Sequence, residues 1–158
     1  NLFTPYLEGA KQHFGFVAMR MPQGFLITAR GSNKENPPPE DIVYVPKVDF
    51  QDRIIYIAPR KKASLNANVA ARIFQDRPDV DLILHAHIFP GVENRTGYDY
   101  APGTREDEEE VLKYLSHGEK IVEMVNHGII TVGKNVDDIR MLLGNEHIYR
   151  KFPELYET

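Results

Sequence analysis

The chain has 158 residues, a mass of 18.1 kDa, a formal net charge of -4 and an isoelectric point near 5.9. This length suits one domain, and 42% hydrophobic with 27% charged residues is typical of a globular protein. With this acidic balance, non-specific binding to a nucleic-acid backbone has no obvious electrostatic basis. The absence of cysteine excludes disulfides and thiolate ligands, so any metal must bind His, Asp or Glu.

No apolar run reaches the roughly 18 residues of a membrane span, and the N-terminus lacks a signal-peptide pattern. We therefore expect a cytoplasmic protein that binds neither membrane nor nucleic acid. Because the chain begins at Asn1 rather than at methionine, the single domain expected over residues 1–158 can be a fragment of a longer protein.

The first part of the sequence predicts a short helix, a β-hairpin and two further strands. Thr4 and Pro5 supply a cap and a first-turn proline for a helix that ends near Gly15. Gly31, Ser32, Asn33 and three consecutive prolines exclude regular structure between residues 29 and 40. The predicted strands are residues 15–20, 25–28, 42–45 and 54–57.

The rest of the sequence alternates helices with apolar strands. Ser64 precedes an apolar set at helical spacing that stops before Pro78, and Thr104 with Asp107 opens a second helix. Asn135 is a candidate cap for a last helix. The predicted strands here are residues 82–88, 121–125 and 129–132. This mixture predicts an α/β fold on one central sheet.

Two histidines, His85 and His87, lie in the apolar run of residues 82–88. Side chains at i and i+2 of a strand share one face, so the two imidazoles lie side by side. Two buried imidazoles would both need partners, which favours metal ligands over core histidines. Catalytic zinc takes three protein ligands and leaves one position open. His127, followed by Gly128 between two apolar strands, is the candidate third ligand.

The remaining histidines, His13, His117 and His147, have no second ligand nearby in sequence. We interpret them as solvated or capping side chains. Five consecutive acidic residues, Glu106 to Glu110, begin the second predicted helix. Neighbours on a helix point in different directions, so we expect a solvated helix start rather than a cation site.

Six segments of the sequence together suggest a known family: Arg77-Pro78-Asp79, Leu82 to His87, Tyr100 to Thr104, Val125 to Gly133, Phe25 to Thr28 with Gly31, and Glu40 to Val43. In this order they resemble the class II aldolase/adducin family over roughly residues 15 to 145. The His-x-His and Asn-His-Gly motifs carry most of the resemblance. The resemblance implies a three-layer α/β/α sandwich with a central, mainly antiparallel sheet.

The same resemblance implies a zinc ion, or another divalent cation, on His85, His87 and His127. It implies a metal-dependent lyase that acts on a small, sugar-derived hydroxy-carbonyl substrate through a stabilised enediolate. It also implies a homo-oligomer, commonly a tetramer with active sites between subunits. Adducin has the fold without the metal site, so the three histidines favour the enzymatic branch.

The sequence departs from the family at several site positions. The family's catalytic glutamate falls on Asn66, whose amide cannot act as a base but can hydrogen-bond a substrate oxygen. Among the phosphate-binding positions, Thr28, Gly31 and Ser64 match, whereas Arg30 replaces a threonine. The guanidinium of Arg30 suits a carboxylate or a differently placed phosphate, unless it is a solvated surface group.

The loop of residues 93–100 offers replacement acids and bases. Related epimerases use an acidic residue near this region across the subunit interface. Asp99 is the candidate base, with Tyr98 or Tyr100 as proton donor, unless these side chains only order the loop. Two other functions stay open: a non-catalytic module that keeps a structural zinc and works through assembly, and a zinc-dependent hydrolase. An open metal position would favour an enzyme, and a fourth protein ligand would favour the module.

Overall fold

The structure is a computed structural model that describes residues 13–58, 61–116 and 118–144. In these ranges the chain forms seven strands, three α-helices and a short 3-10 turn at Pro39–Asp41. The strands are β1 (Phe16–Arg20), β2 (Phe25–Thr28), β3 (Ile42–Asp49), β4 (Ile54–Ala58), β5 (Leu82–Ala86), β6 (Ile121–Met124) and β7 (Gly128–Gly133). The α-helices are α1 (Ala67–Asp76), α2 (Arg105–Leu115) and α3 (Val136–Gly144). The helix predicted at Thr4 and Pro5 lies outside the described residues.

The seven strands form one sheet in the order β4-β3-β2-β1-β5-β7-β6. Every neighbouring pair is antiparallel. The predicted β1–β2 hairpin is confirmed, and Gly24 in its turn has a φ of +70°. A Cβ at Gly24 would lie 2.0 Å from the carbonyl oxygen of Val45, so only glycine fits this turn.

Helices cover both faces of the sheet. Successive side chains of β5 point to opposite faces of the sheet. Ile83 packs in the core that contains α1 and α2, whereas Leu84 packs against Ile139 and Leu143 of α3. The larger core is fully apolar at its centre, with Phe16, Ile73, Ile83 and Leu115 inaccessible to solvent. The fold is therefore an α/β/α sandwich, as the resemblance implies, and its described strands pair in antiparallel fashion throughout.

Three element boundaries differ from the sequence predictions. The helix expected directly after Ser64 is α1, which begins at Ala67, so Leu65 precedes the helix and is exposed. Strand β3 continues across Pro46 to Asp49, with a register shift against β4 that accommodates the proline. Strand β5 ends at Ala86, so His87 lies just beyond the strand.

Buried Arg77 joins the ends of α1 and α2. Its Nη1 donates to the carbonyl oxygens of Leu115 at 2.6 Å and Glu119 at 2.9 Å. Its Nε and Nη2 donate to the two carboxylate oxygens of Asp79 at 2.8 and 2.7 Å. The Arg77-Pro78-Asp79 motif is thus a structural clamp on the helical layer. None of the helices in the described ranges is long and apolar enough to cross a membrane.

Candidate functional site

The sheet topology brings the three candidate ligands to one end of the molecule. Strand β5 pairs with β7 in antiparallel register, with Ala86 opposite Ile129. The end of β5 therefore lies beside the start of β7. His87 follows the first strand and His127 precedes the second, so ligands distant in sequence meet at the same edge.

The turn before β7 depends on its two flanking residues. Asn126 has a φ of +56° and Gly128 a φ of +104°, both in the left-handed region. Asparagine tolerates this region, whereas a Cβ at Gly128 would lie 2.2 Å from the carbonyl oxygen of Ala86. The amide of His127 closes the turn on the carbonyl oxygen of Met124 at 3.1 Å. Asn-His-Gly is therefore the sequence that presents His127 beside β5.

The three imidazoles form a compact triad. The ring centroids are 4.8 Å apart for His85 and His127, 5.0 Å for His85 and His87, and 5.1 Å for His87 and His127. One ring nitrogen from each residue lies within 4.8 Å of the other two. His85 and His127 are buried and His87 is half-buried. Three nitrogen atoms this close together can hold one metal ion.

Burial keeps the triad uncharged. Desolvation lowers the pKa of His85 well below its usual value, and the neighbouring His127 and His87 lower it further. Burial lowers the pKa of His87 to about 4, and it also lowers the pKa of His127, although Asp99 acts in the opposite direction. At neutral pH each imidazole therefore has a lone pair available for a metal.

Hydrogen bonding at the triad fits a metal ion. The carbonyl oxygen of Ile129 lies 2.9 Å from Nδ1 of His85 and can only accept, so Nδ1 carries the proton and Nε2 is left for a ligand. Nδ1 of His127 is buried without a hydrogen-bond partner among the described residues. An unpaired buried nitrogen costs about 1–3 kcal/mol. The donor set suits a divalent cation that accepts neutral nitrogen ligands.

A small pocket adjoins His127. It has a volume of about 10 Å³, enough for one water molecule. Its walls include Asp99 and Tyr100, and Oδ2 of Asp99 accepts a hydrogen bond from Nδ2 of Asn126 at 3.1 Å. Tyr98 also lines it, with its ring 5.8 Å from that of Tyr100. The loop candidates therefore lie beside one metal-ligand candidate.

The sequence did not single out the residue that anchors this loop. Buried Glu123 on β6 accepts a hydrogen bond from the amide of Gly91 at 2.6 Å and pairs with Arg95 at 3.5 Å. Its main-chain groups bond to Asn94 and Thr96, each at 2.9 Å. The sequence feature that could have identified this residue is that Glu123 is the one charged residue within the apolar strand β6.

The prediction that the acidic residues at the start of α2 are solvated is wrong for two of them. Asp107 and Glu108 are buried. Oδ2 of Asp107 accepts from the amide of Gly103 at 2.9 Å, and burial raises the pKa of Asp107 to about 6. Glu108 pairs with Arg53 from the β3–β4 turn at 3.2 Å. Tertiary packing supplied partners that the helix sequence cannot show.

The candidate substrate-binding residues lie at the end of β2, in the segment that follows it, and in the segment before α1. Arg30 donates its amide to the carbonyl oxygen of Lys62 at 2.9 Å, which places residues 28–31 alongside Ser64. Thr28 is buried, and its Oγ1 accepts from the amide of Val17. Gly31 has a φ of +70° and the Arg30 side chain is exposed. Since Thr28 lies on β2 and His85 on β5, with β1 between them, about 10 Å of sheet separates them.

Asn66, expected from the family resemblance to occupy the catalytic position, is buried at the start of α1. Its side chain makes no capping bond, and its Oδ1 has no hydrogen-bond partner among the described residues. A buried carbonyl oxygen of this kind is available to a ligand or to ordered water.

His13 is also placed differently from the prediction. It is buried, and its Nδ1 accepts from the amide of Lys34 at 3.3 Å. The partner is distant in sequence, which explains why a solvated role was expected. His117 and His147 lie outside the described residues.

Comparison with known proteins adds three solved structures of the same fold. An L-fuculose 1-phosphate aldolase has a TM-score of 0.67 and 20% identity, and the match covers 82% of this chain and 69% of that one. L-fuculose-1-phosphate aldolase from Thermus thermophilus has a TM-score of 0.61 and 23% identity, with 84% and 74% covered. A sugar-phosphate aldolase from Thermotoga maritima has a TM-score of 0.64 and 15% identity, with 82% and 79% covered. At these identities the likeness establishes the fold.

A search of curated protein sequences found no match. The sequence profile of the class II aldolase and adducin N-terminal domain, however, matches residues 8–92, more than half of the chain. This range contains the His-x-His motif at the end of β5, and the likeness to the solved structures covers 82–84% of the chain. The chain therefore belongs to the class II aldolase and adducin N-terminal domain family.

Proposed function

We propose that the chain is a metal-dependent, lyase-type enzyme for a small, sugar-derived hydroxy-carbonyl compound, with zinc or another divalent cation on His85, His87 and His127. The observation that carries the proposal is the triad itself: three neutral imidazoles, two of them buried, converge at one sheet edge, and one buried nitrogen lacks a partner among the described residues. When bound, the ion supplies a positive charge that stabilises negative charge developing on substrate oxygens.

Side chains of the protein are proposed to transfer protons and to bind the rest of the substrate. Asp99 lies beside His127 and is the proposed base, while Tyr100 or Tyr98 returns a proton to the substrate. Thr28 at the end of β2, and Gly31 and Ser64 on the adjacent segments, are proposed to bind the substrate's other end, together with Arg30. The exposed guanidinium of Arg30 favours an anionic group there. We propose a homo-oligomeric assembly, as in the tetramers that the family resemblance implies.

Hydrogen–deuterium exchange tests the proposal without the natural aldehyde partner. Metal-loaded protein is incubated in D2O with dihydroxyacetone, dihydroxyacetone phosphate or hydroxypyruvate, and exchange at the carbon beside the carbonyl is followed by NMR. We expect exchange with at least one compound, and we expect its loss on chelation and in Asp99→Asn. No exchange with any compound by fully loaded protein would contradict the lyase proposal and favour the non-catalytic module.

The amide at Asn66 provides a second test. Asn66→Glu restores a carboxylate at the family position, and Asn66→Gln is the matched uncharged control. General bases contribute about 10²–10⁴-fold to proton transfer. We expect exchange at least tenfold faster in the glutamate variant than in the glutamine variant. Equal rates would indicate that the pocket around residue 66 no longer fits the family's base.

A further inference from the structure

Phe14 lies directly against one of the three candidate ligands. Its ring stacks on the imidazole of His87 with the centroids 4.9 Å apart and the planes inclined by 14°. Phe14 is 41% exposed and belongs to neither core cluster of the described residues. Its stacking on His87 therefore points to a role at the triad more than to a role in the core.

His87 is held differently from His85. His85 lies within β5 and its ring is oriented by the carbonyl oxygen of Ile129, whereas β5 ends one residue before His87, which stacks on Phe14. The lone pair of an imidazole nitrogen lies in the plane of the ring. A partner that fixes the plane therefore fixes the direction in which the nitrogen can meet a ligand.

A chain of buried contacts places Phe14. The amide of the preceding residue, His13, donates to the carbonyl oxygen of Ser32 at 3.1 Å, and its Nδ1 accepts from the amide of Lys34 at 3.3 Å. The buried ammonium of Lys34 donates to the carbonyl oxygens of Ala29 at 2.8 Å and Ser32 at 3.2 Å, and to Oγ of Ser32 at 2.9 Å. Phe14 thus follows directly on a residue that is hydrogen-bonded to the loop of residues 29–34.

We propose that Phe14 is a positioning residue that holds the ring plane of His87 for metal binding. The inference rests on the proposed metal site and deepens it. The buried Lys34 and His13 act through the same path, because together they fix the backbone from which Phe14 projects.

Metal affinity tests the proposal directly. Co2+ is titrated into metal-free wild type, Phe14→Leu and Phe14→Tyr in competition with a chelator. Outer partners of metal ligands typically contribute 10- to 100-fold to affinity. We expect about a tenfold loss in Phe14→Leu, which keeps apolar bulk without a planar ring, and less than a twofold change in Phe14→Tyr. Tyr56→Leu is the matched control, since Tyr56 on edge strand β4 is 44% exposed, and we expect no change there.

The His87 ring signals in the metal-free protein provide a second readout. Stacking produces a ring-current shift that Phe14→Leu should abolish and Phe14→Tyr should retain, with the signals assigned by His87→Gln. Unchanged affinity together with unchanged shifts in Phe14→Leu would overturn the proposal. If wild type binds no metal, the proposed function fails, yet the ring-current result still decides whether Phe14 orders His87.

Discussion

Two buried polar clusters, the Arg77 clamp and the histidine triad, differ in how far the chain satisfies them. Arg77 directs its Nε, Nη1 and Nη2 to acceptors within the described residues, and its partner Asp79 raises its pKa. At the triad, Nδ1 of His127 is left unpaired among those same residues. A cluster that the chain completes by itself is structural, whereas a buried cluster that it leaves incomplete indicates a ligand from outside.

The largest expected effect is on the Arg77 clamp. Arg77→Leu leaves the buried carbonyl oxygen of Leu115 without its donor, at about 1–3 kcal/mol, and also removes the hydrogen bonds to Glu119 and Asp79. We expect the free energy of unfolding to fall by about 3–4 kcal/mol in urea titration, with metal affinity unchanged. Arg140→Leu is the control, because exposed Arg140 pairs with exposed Asp137, and a change below about 0.5 kcal/mol is expected. A small change in the free energy of unfolding of Arg77→Leu would contradict the structural role of the Arg77 clamp, and with it the contrast to the histidine triad.

A smaller, pH-dependent effect is expected at Asp107 beside the triad. Its carboxyl pKa is raised from 3.8 to about 6, so the folded state binds more protons than the unfolded state between these values. This group's stabilisation is therefore present below about pH 4 and is lost as the pH rises through 6, by up to about 3 kcal/mol.

Asp107→Asn should remove that dependence. The stability difference between variant and wild type, measured by urea titration from pH 4 to pH 8, should shift in favour of the variant as the pH rises. Glu106→Gln, on the exposed side of the same helix start, should leave the difference flat. A flat difference for Asp107→Asn would mean that the carboxylate is not desolvated.

The smallest expected effect is on the metal-free triad. His127→Ala removes a buried nitrogen that has no partner among the described residues, which offsets the packing it loses, so the free energy of unfolding should change by about 1 kcal/mol or less. Ile129→Ala, two residues along the same edge and fully buried, should cost about 2–5 kcal/mol. An equal loss in both variants would make His127 an ordinary core residue.

The sequence predicted the meeting of the three histidines and most of the sheet because these depend on short-range patterns. The spacing of His85 and His87 and the turn around His127 are local, and the strands that carry them are strongly apolar. The burial of Glu108 was not predictable, since its partner Arg53 comes from a distant turn. The same holds for His13, whose partner Lys34 lies across a loop. A side-chain contact between two elements distant in sequence leaves no recognisable pattern in the sequence of either element.

The most direct test of the account is the metal stoichiometry of the whole chain. Metal-free protein is titrated with Zn2+ by calorimetry, and its thermal unfolding is followed with and without the ion. We expect one tightly bound ion per chain and a stabilisation of about 2.7 kcal/mol when free zinc is 100 times the dissociation constant, and we expect both to be lost in His127→Ala. Absence of stoichiometric binding, or equal binding by His127→Ala, would contradict the proposed metal site on the three histidines.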